Sequence, residues 1–479
     1  MLRALRVLGL FLLILSAKAH GKPLKSSTQS SSTESHPLTL EEVLDSVDRH
    51  FPAILQAQSE VEQQRGLYDA SRGPFDPTLA ASWGKHQEGY PENELVGVKL
   101  SSQIPMTGIK ADVGFDRTQG SFPIYEGDLV TGSRGRWKGG LTVPLVRDLI
   151  IDNARARRSI EGFKFEEKEE AARVIRIETY SRAAIAYWDW LARNEARSII
   201  SNLLKLAEER DVFITKRISR GDAPAIDGVD NQRIILQRRA QLLKAQQEQL
   251  NADLNLSLYL RQDSETPLRP APERASNWLE RSRIERPTDL TDLDKVVAQY
   301  PGIRKLEYEV RQLEVNQKLT FQNLFPQLDL RMEWARYDGQ LPSFRPDRNE
   351  AFIGLQFSIP LFNFSPRGRN RSAEFELQGR KFELSLKKQQ LRVQLDQLVS
   401  ELRVAKEVII NNFGEIEASD RLAQAERKKF ERGDSNLFIV NAREVDAALA
   451  RLKAVESLLD FHEKDLKLRL IQNSWIRQY

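Results

Sequence analysis

The sequence predicts a mainly α-helical chain carrying strands suited to cross a membrane, with the whole plan used twice. Three observations predict this. Several segments of about ten residues alternate strictly between apolar and polar side chains, the period of a sheet with one face in lipid and one in water. Two long stretches, from Pro144 to Pro224 and from Pro366 to the end, contain no internal proline. Four local patterns also recur in the same order in the two halves of the chain, the mark of an internal duplication.

In chain order, Arg3 and Arg6 precede the apolar run Val7–Leu15, which Ala17-Lys18-Ala19 follows. A charged head, a short apolar core and a small-x-small site read as a secretory signal over residues 1–19. Residues 20–37 are rich in Ser and Thr and are expected to form a disordered leader. With 72 Lys and Arg against 68 Asp and Glu, the net charge is only +4, which argues against a nucleic-acid partner. There are no cysteines, which excludes disulfides, thiolate metal sites and a lipid anchor on cysteine. No later run is apolar enough for a transmembrane helix, so membrane entry would require a closed β-barrel.

The first repeat is expected over 38–261. "LTLEEVLDSVDRHFPAIL" opens it with Thr39 and Glu42 spaced as a capping box. Strands follow over about 78–144: Val96, Val98 and Leu100 interleave with Gly97, Lys99 and Ser101; Ala111, Val113 and Phe115 with Asp112 and Asp116; Trp137, Leu141 and Val143 with Lys138 and Thr142. A helix from about 150 to 218 would run on the order of 100 Å at about 1.5 Å per residue, too long for a compact domain. Its return carries Leu236, Leu243 and Leu250 at heptad spacing. Residues 262–290 read as a linker. The second repeat, 291–479, opens with Thr291 and Asp294 as the matching cap and places Pro301 where the first has Pro52. Its strands are expected over about 326–360, where Leu328, Leu330, Met332 and Trp334 interleave with Asp329, Arg331 and Glu333. Val445, Leu452, Leu459 and Leu466 give its returning helix a second heptad. The alternation counts six strands, four in the first half and two in the second.

Each long helix ends in Arg-Gly-Asp, at 220–222 and 432–434. The tripeptide could display an adhesive signal, but its repetition between helices points to two hairpin tips, at 219–226 and 431–437. Gly221 and Gly433 stand where a helix end favours positive φ, and Arg220 and Arg432 lie where a cation favours the dipole. Asp222 and Asp434 are expected to cap the returning helices. Beyond the first tip, Asp227 and Asp230 lie one turn apart and share a face.

"LTLEEVL…HFP", "GLTVPLVRD", "AIAYWDWLARNEA" and the paired glycine turns, in this order and doubled, resemble the TolC-type outer-membrane factor family over residues 38–474. The resemblance implies a homotrimer whose shared transmembrane β-barrel continues as a periplasmic α-helical barrel, girdled by the termini and the linker. It implies a passive outer-membrane conduit for tripartite efflux or type I secretion, partnered by a periplasmic adaptor, an inner-membrane transporter and outer-membrane lipid. It also implies four strands per subunit, and an Asp-x-x-Asp pattern at the second tip, where Phe438 and Asn441 stand here. A periplasmic coiled-coil adaptor or scaffold is the alternative, although adaptors lack such strands. No catalytic residue, cofactor site or metal site is expected. The five histidines, His20, His36, His50, His86 and His462, have no ligand spacing with one another, and no phosphate loop or nucleophile elbow occurs.

Overall fold

A computed structural model describes residues 36–86, 91–123, 129–275, 278–281, 293–341 and 347–472. The expected signal, most of the leader, the Thr291 cap and the linker from 282 to 290 lie outside these residues. From Leu38 onward the chain forms one unit.

The unit opens with α1, Leu40–His50, and α2, Pro52–Ala70. Thr39 caps α1 by accepting a hydrogen bond from the Glu42 amide at 3.3 Å, satisfying a donor that a helix start leaves free. Pro52 occupies the first turn of α2, where the missing N–H costs nothing. Four strands follow: β1 Thr78–His86, β2 Asn93–Gln103, β3 Lys110–Gly120 and β4 Gly135–Pro144. The chain then runs through α3, Asn153–Ser219, which is 67 residues and about 100 Å long. It turns back as α4, Ala225–Ser257.

The second half repeats the order. After a single helical turn at Trp278–Arg281 come α5, Leu293–Gln299, and α6, Pro301–Gln322, again with proline in its first turn. β5, Gln327–Asp338, and β6, Asn349–Ser358, lead into α7, Phe364–Arg432, and its return α8, Leu437–Ile471. Among the described residues the six strands form one antiparallel sheet in the order β1-β2-β3-β4-β5-β6. The count from alternation is therefore six, rather than the four that the family resemblance implies. The two halves meet where β4 pairs β5, with Leu141 opposite Met332 and Val143 opposite Leu330.

The helices carry a narrow core. Val43 and Val47 of α1, Trp190 of α3, Leu395 of α7 and Leu458 of α8 are fully buried in one cluster near the middle of the long helices. The chain's first described turns are tied into it, since Tyr187 Oη donates to the Leu38 carbonyl at 2.8 Å. The His462 ring stacks between Trp188 and Trp278, with centroids 5.2 Å and 5.7 Å away. Burial, assisted by nearby Arg469, pushes its pKa down to about 4, so the ring is neutral at ordinary pH. No helix among the described residues is long and apolar enough to cross a membrane.

Candidate functional site

Through the middle of the strands the sheet separates its side chains largely by face. Directly paired residues in an antiparallel sheet point the same way, so the register defines each face. On one face lie Leu79 and Ala81 of β1, Val98 and Leu100 of β2, and Val113 and Phe115 of β3. Leu141, Met332 and Ile353 continue it across β4, β5 and β6. Most of these apolar groups are half-buried or exposed, so no element among the described residues packs over this face.

The opposite face is charged, and most of its charges are paired. Lys99 reaches Asp112 at 3.4 Å, Arg136 and Lys138 both reach Asp116 at 3.1 and 2.5 Å, and Arg331 reaches Glu333 at 3.1 Å. Tyr337 Oη donates to Glu350 at 2.7 Å and accepts from Arg136 at 3.2 Å. Glycines on this face make room for the long side chains. A Cβ on Gly140 would stand 2.9 Å from the Asp112 carboxylate, and one on Gly114 would stand 3.2 Å from the Lys138 chain. A polar face with both signs of charge solvates ions of either sign without holding one tightly.

The helical hairpins end in two tips. Gly221 has φ +80° and Gly433 φ +89°, so each continues its chain through the left-handed region that favours glycine. The Asp222 amide donates back to the Arg217 carbonyl and the Asp434 amide to the Lys429 carbonyl, both at 2.9 Å. Arg220 and Arg432 are exposed beside these turns.

The expected caps are corrected. Pro224, not Asp222, stands at the start of α4 and offers no side-chain bond. Asn436, not Asp434, caps α8 by accepting from the Ile439 amide at 3.0 Å. At both tips the chain needs two more residues than the tripeptide supplies before it re-enters a helix, which moves the cap downstream. Asp227 and Asp230 both lie in the first two turns of α4 and are half-buried, with Asp230 paired to Arg233 at 2.9 Å. At the other tip Phe438 is 79 % exposed, whereas Asn441 is drawn inward.

What draws Asn441 in is a buried ionic cluster that the sequence did not reveal. Glu444 of α8 has only 2 % of its side chain exposed and lies 2.8 Å from Arg210 Nη1 of α3 and 3.3 Å from Arg238 Nη2 of α4. Arg427 of α7 approaches its other oxygen at 3.6 Å. Arg238 also donates to Asn441 Oδ1 at 2.6 Å, and Arg210 Nε to Asn231 Oδ1 at 3.1 Å. Burial lowers the Arg238 pKa, and Glu444 opposes that shift. One carboxylate thus joins all four long helices a few turns above the tips.

Comparisons with known proteins agree with this architecture. Residues 293–473 match the family model described as outer membrane efflux protein. The open-state MtrE outer membrane channel of Neisseria gonorrhoeae superposes with TM-score 0.66 at 14 % identity, over 95 % of this chain and 96 % of that one. The CmeC outer membrane channel of Campylobacter jejuni gives 0.60 at 12 % identity, over 96 % and 94 %. The outer membrane protein VceC of Vibrio cholerae gives 0.59 at 15 % identity, over 90 % and 95 %. At these identities the likeness is one of fold. No curated protein sequence matches the chain.

Proposed function

We propose that this chain, whose residues 293–473 match the outer membrane efflux protein model, works as three copies closed into one outer-membrane channel for export. The observation that carries the reading is the two-faced sheet with open edges. β1 and β6 end the sheet and have no outer neighbour among the described residues. In lipid an unpaired edge is costly, and closure by further copies removes it. Each β6 would pair the β1 of the next copy, a head-to-tail contact that forms a ring when its rotation closes. Three copies of six strands give eighteen, a size at which barrels leave an aqueous channel.

The helices present matching seams. Within one copy α3 packs against α4 and α8, and α8 against α7, leaving α4 and α7 at the two sides. Leu236 and Leu243 of α4 are 64 % and 68 % exposed, and Val404, Val408 and Leu422 of α7 are exposed as well. A heptad stripe with no cover in its own chain fits a stripe on the next one. The apolar sheet face then meets lipid, the charged face lines the pore, and the helices extend the conduit into the periplasm. A periplasmic adaptor and an inner-membrane transporter would engage it there. Asp227 and Asp230 would form acidic rings at the entrance, with Phe438 leaving the second tip apolar.

Native mass spectrometry of detergent-extracted protein tests this reading. A trimer from the outer-membrane fraction is expected, falling to monomer when Leu236 and Leu243 are both replaced by Glu. A monodisperse soluble monomer recovered from the periplasm without detergent would contradict it.

A further inference from the structure

On the apolar face, three strands end their far halves in the same way. Trp83 is followed two residues on by Lys85, Phe115 by Arg117, and Trp334 by Arg336. A two-residue step keeps each cation on the face of its aromatic. The register agrees: Arg117 stands opposite Val96, and Arg336 opposite Trp137. All three cations lie toward the strand ends remote from the helices, and all three are exposed. The nearby carboxylates are already engaged. Glu94, opposite Lys85, accepts from Trp83 Nε1 at 2.8 Å, and Asp338 pairs Arg134 at 2.9 Å. Among the described residues Lys85, Arg117 and Arg336 have no carboxylate partner within 4.0 Å, in contrast to the paired cations of the polar face.

We infer that Lys85, Arg117 and Arg336 form a docking row for the phosphates of an anionic outer-leaflet lipid. The inference rests on the reading that the apolar face meets lipid with the helices in the periplasm. In that setting the aromatic of each pair sits at the border of the hydrocarbon and the cation two residues further out sits among the headgroups. Arg117 and Arg336 lie two strands and one two-residue step apart, about 12 Å, so they suit a headgroup with two separated phosphates better than a single one. Guanidinium forks bind phosphate oxygens in pairs, which a solvated surface charge does not require.

The test uses the full chain in neutral detergent, with bisphosphorylated lipid A, its dephosphorylated analogue and phosphatidylcholine as probes. Wild type should retain the bisphosphorylated lipid in native mass spectra, and R117Q/R336Q should bind it about 25-fold more weakly, the product of two losses of about fivefold. R331Q, on the opposite face, should bind as wild type does. Equal retention by R117Q/R336Q, or equal retention of the dephosphorylated lipid by wild type, would overturn the docking row. The underlying reading is checked separately. Because the chain has no cysteine, single nitroxide labels at Leu355 and Gln356 can report oxygen against water-soluble quencher access. If Leu355 is not the lipid-exposed one, the sheet orientation fails, and with it the row; if it is, weak lipid retention counts against the row alone.

Discussion

Glu444→Ala is expected to release the lower ends of the helical hairpins at a cost of about 3–5 kcal/mol per copy, the range for removing one partner of a buried ion pair. Three arginines from three helices converge on this carboxylate, and two of them, Arg210 and Arg238, have no more than 5 % of the side chain exposed. One Arg210 nitrogen is already buried without a partner among the described residues. Losing Glu444 would leave both guanidiniums facing each other in a dry interior. Hydrogen exchange should rise along α4 and α8 below the central core, and the leak current in a planar bilayer should increase. Glu444→Gln keeps the volume and should share most of the effect, because the loss is one of charge. The triple replacement of Arg210, Arg238 and Glu444 by Met, Leu and Leu should recover most of the stability, as buried ionic clusters often exchange for apolar packing. Protection unchanged in Glu444→Ala would show that the cluster holds nothing together.

Leu330→Arg is expected to impair membrane insertion by about 2–4 kcal/mol per copy, the cost of a cation on the lipid face near the bilayer midplane. Leu330 stands between Val143 and Leu355 in the apolar face, so its neighbours offer no counter-charge. The next residue gives the contrast. Arg331→Leu removes an exposed ion pair with Glu333, and a loss under about 1 kcal/mol is expected there. Urea titration of folding into lipid vesicles should separate the two variants. Similar losses for both would mean that the faces are assigned wrongly.

Much of this fold was legible in the sequence because its signals are local. The two-residue period through Leu328–Trp334 identifies both the strand and its apolar face without knowledge of the neighbours. The proline-free stretches announce α3 and α7, and Gly221 and Gly433 mark where each must turn. The Glu444 cluster was not legible, because its members at 210, 238, 427 and 444 lie among dozens of charges with the same helical spacing. Only the packing of four helices distinguishes a buried carboxylate from a solvated one. The same holds for His462, whose stacking partners come from positions 188 and 278. The caps failed for a subtler reason: Asp222 and Asp434 have the right chemistry, but the turn geometry places Pro224 and Asn436 at the helix starts.

If the charged sheet face lines a pore while the apolar face meets lipid, adjacent residues of one strand should differ in their access to the conduit. Glu333 and Met332 are adjacent in β5 and lie on opposite faces, and a chain without cysteine allows one to be introduced at each. The direct measurement is single-channel current in a planar bilayer before and after a bulky water-soluble thiol reagent. Modification at E333C should cut the conductance stepwise, up to three steps for three copies, while M332C should not respond. A conductance unchanged at E333C, or reduced at M332C, would contradict a pore lined by the charged face.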